Sequence, residues 1–283
     1  MIDEAIEEIR EMQTHSSSAV AITATNALSE LLDREFATPE EYRRSLDRNA
    51  SALRRANPSH ASLQSAVREV VDAVDSAEPE TVEAAKHVTQ TAIERVVEQV
   101  EQEKGRAAAR AAAHIDDGST ILTHDYSSTV LEGIEGAVSD GKHLTAYVSE
   151  ARPRYLGRKS ARTLAQYDTV ETHLIVDSAW GHFMPEIDAI YVGMDCIVDG
   201  ILYNRVGTFP LAITANELGV PMYVVGSGSK VVEGGFVFEN EFRSPSEVMR
   251  EPAEGFIVEN PAYDATPVEL LAGVITDDGI EEL

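Results

Sequence analysis

Apolar residues recur at helical spacing through the first third of the chain and in short, strand-like runs beyond it. Ile2, Ile6 and Ile9 fall on one helical face, as do Val67, Val70, Val71 and Val74. Thr38-Pro39-Glu40-Glu41 and Pro79-Glu80-Thr81-Val82 read as helix starts, because proline and acidic residues suit a first turn. The stretch from Glu80 to Ala113 predicts one long helix or two nearly continuous ones. All 18 glycines lie at or after Gly105, and glycine costs about 1 kcal/mol relative to alanine inside a helix. Residues 1–113 are therefore expected to form an all-helical domain.

After Gly118 short apolar segments appear at Thr120–Thr123, Leu144–Val148, Thr172–Val176, Ala189–Val192 and Met222–Val225. Most lead through a polar or glycine-bearing turn into a helical stretch. Such alternation indicates an α/β domain, here residues 114–283, with a parallel sheet covered on both faces. Ligands of such sheets bind beyond the carboxyl ends of the strands. That rule points to the loops His124–Ser128, Ser149–Arg158, Asp177–His182, Gly193–Gly207 and Gly226–Lys230.

Composition narrows the function classes. Of 283 residues 43% are hydrophobic and 25% charged, the balance of a folded globular chain. No run reaches the roughly 18 apolar residues of a membrane span. The start, MIDEAIEEIREM, lacks the basic and apolar segments of a signal peptide, and the lone Cys196 cannot form an internal disulfide. A cytoplasmic protein without membrane contact is expected. The 49 acidic residues outnumber 23 basic ones, for a net charge of −26. That excess argues against direct binding to a nucleic-acid backbone. It fits either a docking surface for a basic partner or a solvated shell suited to high salt. The even spread of acids, with lysine scarcer than arginine, favours the second.

Several strand-end residues have chemistry to offer. ThrHisAspTyrSerSer (123–128) closes a strand and opens a helix, where hydroxyls and N–H groups make an anion site or where Ser127 or Ser128 simply caps. Asp195 follows a fully apolar strand and can serve as a general acid or base, or be hydrogen-bonded to nearby backbone. Cys196 reads as a small buried residue. AsnArgValGlyThr (204–208) carries an amide, a guanidinium, a glycine and a hydroxyl able to surround a phosphate or sugar. Arg152, Arg154, Arg158 and Lys159 form a basic island, for anion recognition or surface pairing. His60, His124 and His182 have no metal-ligand spacing, and no Walker, GxGxxG or Gly-x-Ser-x-Gly motif occurs, so neither a metal nor a cofactor is expected.

Together these segments resemble the initiation factor 2B regulatory-subunit family, whose superfamily includes sugar-phosphate isomerases. ILTHDYSSTVL (121–131) is similar to its ILTHAYS-type segment, and YVSEARPRYLGRK (147–159) to its strand and Arg-Pro loop. The block at 190–225 resembles the family's GAD…NKIGT…A…GIPFYV block, residues 260–280 its NP.FD.TP.ELI ending, and SerSerSerAlaValAla (16–21) its first helix start. The resemblance covers nearly the whole chain and implies a Rossmann-like domain following the helical one; together with the acidic composition it leads to the expectation of a haloarchaeal member. Ribose-1,5-bisphosphate and methylthioribose-1-phosphate isomerases resemble each other in using a Cys in a Thr-His-Cys segment and an Asp in a Gly-Ala-Asp segment. Here Asp125 stands in the Cys slot and Asp195 in the Asp slot. The isomerases' two phosphate-binding arginines correspond to about His15-Ser16-Ser17 and to Asn57, while Arg205 keeps the charge of a family Lys.

These departures imply a non-catalytic, initiation factor 2B-like regulator that binds a sugar phosphate or nucleotide. The alternative is an aldose–ketose isomerase of the ribose-1,5-bisphosphate isomerase type, with Asp125 and Asp195 as its catalytic candidates. The expected ligand residues are Asp125, Tyr126, Ser127, Arg152 and Arg158 from two loops, and Asp195, Asn204, Arg205 and Lys230 from the others. The resemblance also implies a homodimer formed through the second domain, and translation initiation factor 2 or related subunits as partners.

Overall fold

A computed structural model describes residues 2–11, 16–232, 237–252 and 254–283. The chain parts into two compact units, Met1–Glu103 and Lys104–Leu283.

The first unit is helical: α1 (Ile2–Arg10), α2 (Ser17–Ala27), α3 (Pro39–Ala56), α4 (Ala61–Ala77) and the first part of α5 (Val82–His114). The two sequence-predicted starts are both capped. Thr38 accepts a hydrogen bond from the Glu41 N–H at 3.2 Å, with Pro39 in the first turn, and Thr81 accepts from Ala84 at 3.1 Å. The valine face of α4 turns inward, with Val67, Val70 and Val74 fully buried beside Leu28, Leu31, Leu46 and Leu53. Tyr42 joins this core without leaving its hydroxyl unsatisfied, because it donates to Thr89 at 2.8 Å. Of the two positions aligned with the isomerases' phosphate-binding arginines, His15 lies outside the described residues. Ser16 caps α2 by accepting from Ala19, and Asn57 is buried, its carbonyl accepting from Gln64.

The second unit alternates strands and helices: β1 (Thr120–His124), α6 (Ser128–Ser139), β2 (Leu144–Ser149), α7 (Gly157–Leu164), β3 (Val170–Ile175), α8 (Trp180–Phe183) and β4 (Ala189–Gly193). There follow β5 (Cys196–Val198), β6 (Ile201–Arg205), α9 (Thr208–Leu218), β7 (Met222–Val225), β8 (Val231–Val232), α10 (Pro245–Val248), β9 (Tyr263–Pro267), β10 (Gly273–Ile275) and β11 (Ile280–Glu282). The main sheet has the order β11-β10-β7-β4-β1-β2-β3 and is parallel except where β11 runs antiparallel to β10. It carries all five sequence-predicted strands, with small shifts at their ends.

One expectation needs correcting. The segment Gly193–Gly207 is not a loop but contains a hairpin, β5–β6, within a second sheet ordered β8-β5-β6-β9. Val198 pairs with Ile201 across the two-residue turn Asp199-Gly200, where φ is +48 and +77. Asp-Gly accepts that doubly left-handed turn, whose twist matches the flanking strands.

In the main sheet β1 lies between β2 and β4, so successive connections leave it in opposite directions. A crevice opens at the carboxyl ends of β1 and β4, the switch point at which such sheets bind ligands. Residues 125 and 195 stand just past those two ends.

Among the described residues no helix is long and apolar enough to cross a membrane.

Candidate active site

Asp125 follows β1 directly and adopts φ +64, a left-handed conformation that aspartate tolerates better than most side chains. The backbone there is held from two sides. Ser160 donates its hydroxyl to the Asp125 carbonyl at 2.7 Å. Next to it, the buried His124 bridges Ser149 Oγ (2.7 Å from Nδ1) and the Val206 carbonyl (2.9 Å from Nε2). A carbonyl only accepts, so Nε2 carries a proton; in the neutral ring Nδ1 then accepts from Ser149.

The Asp125 carboxyl is buried, and Arg205 Nε lies 3.5 Å from its Oδ2. Burial raises its pKa; Arg205 and His124 oppose the shift, and Asp195 adds to it. A carboxyl so placed holds a proton more readily than one in water.

Asp195 leaves β4 and is partly open to solvent, its N–H donating to the Tyr203 carbonyl at 3.2 Å. Its carboxylate is the common electrostatic neighbour of the site, acting on Asp125, Cys196, Arg205, Lys230 and Tyr263. Lys230 is buried and donates to the Met194 carbonyl at 3.0 Å. Burial lowers its pKa against the pull of Asp195. Burial also works against the Arg205 charge, but Tyr263, Asp195 and Asp125 outweigh it and raise its pKa. The guanidinium lies 4.9 Å from the centre of the Tyr263 ring. Cys196 supplies no substitute for the missing thiol, since burial, aided by Asp195, pushes it up to about 12.

The other sequence candidates divide. Ser127 caps α6, accepting from Val130 at 3.3 Å, and Lys159 Nζ sits 3.9 Å from the centre of the Tyr126 ring. Asn204 is buried and donates to Thr208 Oγ1 at 3.1 Å. The segment 204–208, read as able to surround a phosphate, leads into the α9 N-terminus, which already holds an internal anion: Asp264 Oδ2 accepts from Gly207 at 2.7 Å and Phe209 at 3.0 Å. Arg158 pairs with Glu150 at 2.7 Å and covers the Tyr155 ring, and it is not among the residues that line the recess described next.

Beside Asp125 lies a small recess that opens to solvent, with an interior free space of about 20 Å³. Arg152, Arg154, Arg205, Arg243 and Glu247 line it together with Asp125. Asp177 pins the Arg152 loop by accepting from the N–H groups of Ala151 at 2.8 Å and Arg152 at 2.7 Å. Arg243 and Glu247 were not sequence candidates. They pair at 2.9 Å, and Asn260 donates to Glu247 at 3.2 Å. The one available signal was a lone Arg four residues before a Glu in a segment without strand or helix periodicity. Among the described residues no group of three or more His, Cys, Asp or Glu side chains is placed to hold a metal ion.

Comparison with known proteins bears on what this site does. The ribose 1,5-bisphosphate isomerase of Haloterrigena turkmenica is 31% identical over 96% of this chain and 88% of its own length. That of Methanocaldococcus jannaschii is 32% identical over 99% of this chain and 91% of its own. Among solved structures, translation initiation factor eIF-2B of Pyrococcus horikoshii OT3 matches with a TM-score of 0.83 at 25% identity, covering 99% of this chain and 96% of that one. The expectation of a non-catalytic regulator is thereby corrected. It rested on an absent thiol and absent arginines, yet the ribose 1,5-bisphosphate isomerases match 96% and 99% of the chain, whereas a putative translation initiation factor eIF-2B subunit 2-like protein of Pyrococcus furiosus, 33% identical, matches 69% of it. The physical premise was also too narrow, because a buried carboxyl of raised pKa can carry a proton where a thiol would. The profile of the Initiation factor 2 subunit family spans residues 13–282, and with the shared fold and these relatives, the chain belongs to that family.

Proposed function

We propose that this chain is an aldose–ketose isomerase of the ribose 1,5-bisphosphate isomerase type, working with the carboxyl pair Asp125 and Asp195. The observation that carries the reading is the match to isomerase relatives over 96% and 99% of the chain. The two carboxyl groups at the switch point between β1 and β4 supply its chemistry.

Isomerisation moves a carbonyl between neighbouring carbons of the open sugar. A base takes the proton from the hydroxyl-bearing carbon while an acid gives one to the carbonyl oxygen, and the enediol formed collapses by the reverse transfers at the other carbon. No proton is gained or lost over the cycle. Asp195, the more open carboxyl, is the base. Asp125, whose proton burial retains, is the acid. Two close carboxyls suit these roles because the charge of one holds the proton on the other. Arg205 and Lys230 face the negative charge that develops on the sugar oxygens. Asn204 holds the end of β6 in place, Ser127 caps α6, and the Tyr126 N–H donates to the Asp125 carboxyl.

In this reading residues 114–283 form the domain that carries the site and the homodimer contact, following the helical domain 1–113. Leu174 and Val176 near the end of β3, and Phe209 and Ile213 on α9, are large apolar side chains exposed by 37–54%. A single-chain mass in sedimentation at micromolar concentration would count against the dimer. The acidic surface suits a salt-rich cytoplasm. The test of the function is direct: purified protein in potassium chloride is given ribose 1,5-bisphosphate, and the ketose bisphosphate is followed with time. Steady formation is expected; no product at any salt concentration removes the reading.

A further inference from the structure

The recess beside Asp125 is lined by more arginine than carboxylate, the reverse of the chain's overall balance. In a chain of net charge −26, four guanidinium groups, Arg152, Arg154, Arg205 and Arg243, line it against two carboxyl groups, Asp125 and Glu247. Like charges do not gather at one partly buried place without a cost, and an anionic ligand would offset it. Arg154 registers that cost. Burial lowers its pKa, and Arg243 and Arg205 lower it further, against a weaker pull from Glu247 and Asp125.

The arginines are also held in place. Asp177 fixes the backbone at Arg152, whose guanidinium donates to Tyr155 Oη and, at 3.1 Å, to the Val248 carbonyl. Glu241 and Glu247 clamp Arg243, each at 2.9 Å, and Glu247 lies 3.9 Å from Arg154 Nε. Side chains ordered in advance lose little freedom when they bind. Planar guanidinium forks match a tetrahedral oxyanion through paired charge-assisted hydrogen bonds. The recess is contiguous with the carboxyl pair, since Asp125 lines the one and belongs to the other.

We propose that Arg152, Arg154 and Arg243 form a phosphate subsite, which takes a phosphomonoester of the sugar whose carbons lie at Asp125 and Asp195. The sugar's identity rests on the isomerase reading; the phosphate site does not. The relevant contacts come from the loop after β2 and from the segment around α10. They include no residue of the α9 N-terminus, which Asp264 already fills.

Two measurements separate the claims. Binding of inorganic phosphate is followed by calorimetry at fixed ionic strength, with potassium chloride as the control salt, for the parent, Arg154→Gln and Arg152→Gln. The KM for ribose 1,5-bisphosphate is measured on the same proteins. Each lost charged contact is expected to weaken phosphate binding by about tenfold or more. KM should rise in step, while kcat changes much less, and Arg154→Lys should recover part of the loss. Should Arg154→Gln not fold, Arg152→Gln carries the test, because its side chain is exposed. A parent that does not bind phosphate, or variants that bind it as tightly as the parent, overturn the subsite even if turnover is normal. Phosphate binding weakened by the variants in a protein without turnover upholds the subsite and removes the isomerase reading instead.

Discussion

Asp125 is a carboxyl in a place that disfavours its charge, and that has a consequence for stability. Burial raises its folded pKa above that of an aspartate in water, against the pull of Arg205 and His124. The stability it contributes is therefore complete below the unfolded pKa and is lost as pH rises through the folded one. Asparagine has the same shape and cannot ionise. Relative to the parent, Asp125→Asn should gain melting temperature as pH is raised from about 4 to about 8, the span above the unfolded aspartate value, read by calorimetry at constant salt. A difference that stays flat or shrinks over that range would mean Arg205 fully stabilises the carboxylate. The role of Asp195 was not decided by the sequence, where a carboxyl after an apolar strand reads more readily as a hydrogen-bonded polar group than as an acid or base. What the linear chain does not reveal is the set of groups around it, Asp125, Arg205, Lys230 and Tyr263, which come from four different segments.

At the scale of elements, the junction of β2 and α7 is where the arginine loop is tied down. Gly157 donates to the Glu150 carbonyl at 3.2 Å, and a Cβ on it would lie 1.8 Å from the Ser149 carbonyl oxygen. Those atoms are backbone and cannot step aside. Gly157→Ala should therefore destabilise the protein by about 3 kcal/mol or more in denaturant unfolding. A loss under about 1 kcal/mol, the ordinary range for a tolerated change, would show that the loop yields. The elements themselves were largely legible. A glycine-free first hundred residues and capped starts at Thr38 and Thr81 mark the helices, and apolar runs before polar turns mark the five core strands. The β5–β6 hairpin was missed although Asp199-Gly200 is a strong turn signal, because three-residue strands such as β5 show too little alternation to register. Arg243 was missed for a different reason. Its place depends on contacts with Glu247 and Asn260 in a segment with no regular period.

For the whole molecule, the main electrostatic load on the fold is self-repulsion among 49 acidic side chains facing 23 basic ones. The screening length falls from about 10 Å at 0.1 M salt to about 3 Å at 1 M. The melting temperature should therefore climb steadily when potassium chloride is raised from about 0.1 M to about 2 M. Equal stability at both ends would mean that the acidic surface is a local docking patch, not a salt-adapted shell. The same field would oppose the approach of the proposed bisphosphate substrate, which makes a concentrated patch of arginine beside Asp125 more consequential than it would be on a neutral protein.

The measurement closest to the central claim is the rate of ketose bisphosphate formation from ribose 1,5-bisphosphate by the parent, Asp195→Asn and Asp125→Asn, compared in one high-salt buffer. Proton transfer by a positioned carboxyl is worth about 10²- to 10⁴-fold, so each variant should lose kcat by that order while still binding phosphate. Parent-like turnover by either variant would contradict a carboxyl pair that takes the place of the thiol.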